Sequence, residues 1–127
     1  MKILIVEDLG IMRRVVANTL KAIGYDDVIE APNAEHALKI IEDHNIELII
    51  TDWLMPGMDG LEFSKIIKND ERFSDIPIIM LTTKGHKEDV LEAIYAKIDA
   101  YIVKPFNAQI LKEKIDSVIS PYKTYNI

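Results

Sequence analysis

The chain has 127 residues, of which 49% are apolar and 28% charged, enough to bury one core and solvate its surface but too little for a second domain. Twenty-one acids against fifteen lysines and arginines leave a formal net charge of -6, which opposes long-range attraction to nucleic acid or to an anionic membrane surface. Cysteine is absent, so disulfides, thiolate metal sites and cysteine nucleophiles are excluded. No apolar run approaches the roughly 20 residues of a membrane-spanning helix, and the N-terminal run is too short for a secretory signal. One cytoplasmic domain over residues 1–127 is expected, without nucleic-acid binding or membrane insertion.

In chain order, the first apolar run is Ile3–Val6, followed by Met12, Val15, Val16, Thr19, Leu20 and Ile23 at helical spacing, with Gly24 as the stop. A second run, Val28–Ala31, leads through a candidate cap at Asn33 into a helix carrying Ala34, Ala37, Leu38 and Ile41. Leu48–Thr51 is the third run, with a less cleanly patterned helix near residues 60–69. Residues 78–81 form the fourth, followed by a helix near 87–96, and residues 101–103 form the fifth. Leu111, Ile115 and Val118 mark the last helix. The runs are mostly β-branched and apolar throughout, as strands covered on both faces must be. Strand and helix alternating in this way predict right-handed crossovers and an α/β fold, a doubly wound five-stranded parallel sheet with five helices.

Ligands of such sheets bind beyond the carboxyl ends of the strands. The residues there are Glu7 and Asp8, then Asp52, Thr82 and Lys104. Three carboxylates converging on one edge repel and raise one another's pKa unless a cation neutralises them. A hard divalent cation with oxygen ligands meets that need, and Mg²⁺ suits it because it keeps waters and accepts phosphate oxygens. Each residue also has a structural explanation: Glu7 and Asp8 as a solvated turn, Asp52 as the start of an Asx turn, Thr82 as a strand end, Lys104 as a surface lysine before Pro105.

Other phosphate sites fit poorly. A dinucleotide fold needs a glycine-rich turn after the first strand, where the acids of Glu7-Asp8-Leu9-Gly10 would repel a pyrophosphate, and no G-x-x-x-x-G-K-[ST] loop occurs. His36, His44 and His86 are too dispersed to share a metal and read as surface residues.

Glu7-Asp8, the segment Asp52-Trp53-Leu54-Met55-Pro56-Gly57-Met58-Asp59-Gly60, Thr82, Tyr101 and Lys104-Pro105-Phe106 together resemble the response-regulator receiver family over essentially the whole chain. The resemblance, strongest to its single-domain chemotaxis members, implies a strand order of 2-1-3-4-5 and a cis Lys104–Pro105 bond. It implies that Asp52 accepts a phosphoryl group from the phosphohistidine of a histidine kinase. Asp8, Asp52 and the Leu54 backbone carbonyl would hold Mg²⁺, with Glu7 acting through a water. Lys104 and Thr82 would bind the phosphoryl oxygens. Thr82 and Tyr101 would form the switch, Tyr101 moving inward from an exposed rotamer.

The protein implied is a monomeric switch that catalyses its own phosphorylation and slow autodephosphorylation, not a turnover enzyme. Residues 121–127 are too short for an output domain, so the output is expected in trans, through the face of the fourth helix, fifth strand and fifth helix. A flagellar motor switch component in chemotaxis is the first expectation and a phosphorelay phosphotransferase the second. An aspartyl-phosphate phosphatase is disfavoured, because such enzymes place a second Asp where this chain has Leu54. Leu54 and Lys84 depart from the family's usual polar and acidic residues and are expected to modulate phosphoryl lifetime. Lys97-Ile98 replaces the usual Gly-Ala, so that corner is expected to close differently or to move.

Overall fold

The computed structural model describes residues 1–119, so the expected tail at 121–127 lies outside the described residues. The elements are β1 (Ile3–Val6), α1 (Gly10–Ala22), β2 (Val28–Ala31), α2 (Ala34–Asp43), β3 (Leu48–Thr51), α3 (Gly60–Lys68), β4 (Ile78–Thr82), α4 (Lys87–Tyr95), β5 (Ala100–Val103) and α5 (Ala108–Ile119). All strand pairings are parallel, in the order β2-β1-β3-β4-β5. The last two strands are each one residue longer than the sequence pattern suggests, and Thr82 is the final residue of β4 rather than the residue after it.

Side-chain alternation divides the core between the two faces of the sheet. Ile3, Ile5, Leu48, Ile50, Ile79 and Leu81 pack with Val16 and Leu20 of α1 and with Leu111 and Ile115 of α5. Leu4, Val6, Ile49 and Ile78 pack with Ala37 and Ile41 of α2 and with Phe63 and Ile67 of α3. A smaller cluster of Trp53, Leu61, Met80 and Ala96 lies beneath the end of α4.

Two expectations from the apolar pattern need correction. Uninterrupted burial holds for β1, β3 and β4, whereas the edge strands β2 and β5 are only partly covered, and β2 carries Glu30. On α1 the buried stripe runs through Val16 and Leu20, while Val15 remains 43% exposed. The histidines are exposed as expected, Asn33 accepts the His36 N–H at 2.7 Å to cap α2, and the Lys104–Pro105 bond is cis.

A largely buried lysine connects α3 to the turns that precede β4 and β5. Lys68, with a side chain 9% exposed, donates to the Ile76 and Ser74 carbonyls at 2.9 and 3.3 Å and to Asp99 Oδ2 at 2.8 Å. The same Asp99 oxygen accepts the Ile78 N–H at 2.8 Å, so its charge is met from both sides.

Helices α1 and α4 end in the same motif. After α1, Gly24 has φ 103°, its N–H donates to the Lys21 carbonyl at 3.1 Å, and Tyr25 N–H donates to the Leu20 carbonyl at 2.9 Å. After α4, Lys97 has φ 65°, its N–H donates to the Ile94 carbonyl at 3.0 Å, and Ile98 N–H donates to the Ala93 carbonyl at 3.1 Å. The Lys97-Ile98 corner therefore closes in the ordinary left-handed way, with a lysine where glycine is favoured. Lys97→Gly should stabilise the protein by about 0.5–1 kcal/mol, the left-handed penalty less the extra entropy of glycine in the unfolded chain. Urea unfolding measures it, and no gain would show that the lysine conformation is unstrained.

Candidate functional site

Strand register assembles the site. Val6 lies opposite Thr51, and Asp52 N–H donates to the Val6 carbonyl at 3.0 Å, so Glu7 and Asp52 leave adjacent strands side by side. Thr82 lies opposite Val103, and Lys104 N–H donates to the Thr82 carbonyl at 2.8 Å. Asp52 Oδ1 accepts the N–H groups of Trp53 and Leu54 at 2.7 and 3.4 Å, while Oδ2 faces Lys104 Nζ at 3.1 Å. The side chains of Lys104 and Asp52 are only 15% and 12% exposed, so Lys104 is no surface lysine. The Asx-type turn and the acidic site prove to be one structure, because the oxygen that caps the turn leaves the other free for chemistry.

Gly60 fixes the loop that follows. A Cβ there would come within 1.9 Å of the Asp52 carbonyl oxygen, closer than any side chain permits, so only glycine lets α3 start against Asp52. Asp59 caps the helix by accepting the Glu62 N–H at 2.8 Å.

Glu7 is 4% exposed and lies against Asp52. Its Oε2 is buried without a hydrogen-bond partner. Burial, hydrogen bonding with Asp52 and the Asp52 charge push the Glu7 carboxyl up to about 8. Burial alone would raise Asp52 as well, but the hydrogen bond from Glu7, the Lys104 ammonium and the Trp53 N–H together hold it below the usual carboxylate range. Of the two acids, Glu7 is therefore the one that holds its proton more tightly and Asp52 the one that ionises first.

Of the three expected carboxylates, Glu7 and Asp52 lie against each other. Asp8 acts on Glu7 only through its charge, and among the described residues no group of three or more acidic or imidazole side chains is arranged to hold a metal. The donor chemistry nevertheless fits a hard divalent cation: the donors are carboxylate oxygens, and Glu7 Oε2 is buried without a hydrogen-bond partner.

On the opposite flank, Thr82 is fully buried and its hydroxyl accepts the Lys84 N–H at 3.3 Å. The Lys84 ammonium lies 3.9 Å from the centre of the Trp53 ring and 3.6 Å from Asp89. Tyr101 differs from the expected exposed rotamer. It is half-buried, its hydroxyl donates to the Lys84 carbonyl, and its ring meets Trp53 edge-on at 6.3 Å and 81°. Burial and the charges of Asp89 and Asp52 raise its phenol to about 12. Leu54 is 53% exposed beside an open hollow of about 480 Å³.

Sequence reading did not single out Arg13 or the contact between Lys84 and Trp53. Arg13 Nη1 donates to the Glu7 carbonyl at 2.8 Å and reaches the Asp8 carbonyl at 3.5 Å. An arginine one turn into a helix that follows two acids is the only local signal, and it resembles an ordinary solvated charge.

Residues 3–116 match the family described as the response regulator receiver domain. The chain is 47% identical over 120 residues to chemotaxis protein CheY1 of Helicobacter pylori, covering 94% of this chain and 97% of that protein. It is 40% identical to CheY of Pseudomonas aeruginosa, covering 93% and 95%. Among solved structures, CheY4 of Vibrio cholerae superposes with a TM-score of 0.86 at 33% identity, covering 93% of this chain and 98% of that one. The response regulator TrrA of Thermotoga maritima, in complex with Mg²⁺-BeF, superposes with a TM-score of 0.82 at 38% identity, covering 94% and 100%. The chain belongs to the response regulator receiver family. Its place within that family is with the CheY-type chemotaxis regulators.

The Glu7 proton has a consequence for stability. Between about 4.5 and about 8 the folded protein keeps a proton that the unfolded chain has lost, so Glu7's contribution to stability falls as pH rises through that window. In metal-free buffer, Glu7→Gln should flatten the decline, as read by urea unfolding at a series of pH values. An equally steep decline in the variant would place the proton elsewhere.

Proposed function

We propose that the chain is a phosphorylation switch in which Asp52 accepts a phosphoryl group from a histidine kinase and a partner protein reads the resulting surface. The observation that carries this is the Asp52 carboxylate, fixed by backbone N–H groups on one oxygen and facing the Lys104 ammonium with the other. In the transfer, an Asp52 oxygen bonds to phosphorus as the P–N bond of the phosphohistidine breaks, and that electron pair returns to the imidazole. Positioning and charge neutralisation are most of the catalysis such a transfer needs. Lys104 meets negative charge on the phosphoryl oxygens, and the Thr82 hydroxyl, which accepts from Lys84, still has a proton to donate.

Asp8, Asp52, the Leu54 carbonyl and, through a water, Glu7 would hold Mg²⁺, whose charge allows acids and phosphoryl oxygens to share a small volume. The hard oxygen donors and the unpaired Glu7 oxygen support this, as does the Mg²⁺-BeF complex of the similar TrrA fold. Leu54 offers an attacking water no hydrogen bond, and the Lys84 ammonium is engaged by Trp53 and Asp89, so hydrolysis of the acyl phosphate is slow.

The output passes through Thr82 and Tyr101. Tyr101 already rests inward, so phosphorylation deepens a population that exists beforehand. The surface so changed includes exposed Leu91, Ile94 and Tyr95 of α4 and Val103 of β5, an apolar face suited to a partner such as a motor switch component. A phosphorelay role would use the same Asp52 chemistry with a phosphotransferase as partner.

Acetyl phosphate with Mg²⁺ should label Asp52 in the wild type, and Asp52→Asn should abolish labelling. Label retained in that variant, or formed without a divalent cation, would falsify the assignment. Replacing Leu54 with Asn should speed loss of the label severalfold in a phosphate-release assay. If the rate is unchanged, Leu54 does no more than cover the loop. Thr82→Ala should still take up phosphate but lose the phosphate-dependent change in the Tyr101 ring signal by NMR. Full retention of that change would separate Tyr101 from Thr82.

A further inference from the structure

We propose that Arg13 is a positioning residue for the divalent-cation site, holding the Glu7-Asp8 segment in register with Asp52 through main-chain contacts while Glu30 holds Arg13. The inference rests on the phosphoacceptor reading of Asp52 given above. Its geometry is independent of that reading. Arg13 Nη1 donates to the Glu7 carbonyl at 2.8 Å and lies 3.5 Å from the Asp8 carbonyl, the two peptide units that carry the acids out of β1. Beyond β1, which ends at Val6, Glu7 N–H is held by the Ala31 carbonyl at 3.1 Å, whereas the carbonyls of Glu7 and Asp8 turn toward the guanidinium. One nitrogen of the guanidinium fork thus spans the turn where the strand stops and α1 begins.

The fork is itself anchored. Arg13 Nε lies 3.4 Å from Glu30 Oε1, an ion pair without hydrogen-bond alignment, and Arg14 Nη2 lies 3.3 Å from Glu30 Oε2. Glu30 lies opposite Ile5 on the edge strand, beside the stretch that leads into the acids. Arg13 is 21% exposed and Arg14 67% exposed, so Arg13 is the inner of the two and the one that reaches the turn. A lysine could supply the charge and reach the carbonyls with one nitrogen, but not the fork that presents a second nitrogen to the Glu30 carboxylate. Groups of this kind set ligand geometry without touching the ion, and removing one commonly weakens metal affinity about 10–100-fold.

The test separates positioning by sign. Arg13 brings a positive charge near a cation site, so Coulomb's law alone predicts that Arg13→Ala binds Mg²⁺ more tightly. Positioning predicts weaker binding. Mg²⁺ titration followed by Trp53 fluorescence should show about tenfold weaker affinity in Arg13→Ala, with Arg13→Lys intermediate. Hydrogen exchange of the Asp8 and Leu9 amides should also be faster without metal. Affinity unchanged or tighter in Arg13→Ala overturns the proposal. Should Arg13→Ala not fold, Arg13→Lys decides, since it keeps the charge and loses the fork: weaker binding upholds the role and wild-type binding rejects it. Failure of the underlying reading looks different, because wild-type protein would then show no Mg²⁺-dependent labelling of Asp52.

Discussion

The acidic edge depends on the contact between Asp52 and Lys104 across the ends of β3 and β5, with β4 between them. Burial disfavours the Asp52 charge, and the ammonium together with the Trp53 N–H and the Glu7 proton more than offsets that penalty. An anion held ready in a place that would otherwise neutralise it is what a nucleophile toward phosphorus requires. Neither partner could be there without the parallel register. Strand ends that align Val6 with Thr51, and Thr82 with Val103, deliver Glu7, Asp52 and Lys104 to one rim from widely separated parts of the chain.

The Glu7–Asp52 pair turns mutual repulsion into a function of environment. Two carboxylates in contact cannot both ionise freely, and the more buried of them keeps the proton. The opposite flank works by a different balance. Lys84 links Thr82, Trp53, Tyr101 and Asp89 through its main chain and its ammonium, so the end of β4, the start of α4 and Tyr101 of β5 meet at one residue.

Much of this was legible in the sequence because parallel strands are covered on both faces and leave a strong apolar trace. Strand existence, the Gly24 stop, the Asn33 cap and the strand-end residues follow from local chemistry. Other features depend on contacts that no window of sequence contains. Whether β2 and β5 are half-covered is decided by which strands lie at the edges. The outward turn of Val15 is set by where the α1 stripe meets α5. Tyr101 rests inward because the Trp53 ring and the Lys84 carbonyl receive it, and both belong to other strands' loops. Arg13 was overlooked for the same reason: its targets are main-chain carbonyls, which carry no residue signature.

Lys68 constrains how α4 can respond. The helix buries only Ala93 within its length, yet the chain just beyond it is pinned, because Asp99 is held by both the Lys68 ammonium and the Ile78 N–H. At its other end α4 is tied by Asp89 to Lys84, a partly exposed ion pair. The chain after α4 is thus held by two partners at Asp99 and its start by one ion pair at Asp89, so the less restrained end of the helix is the one beside the loop that leaves β4.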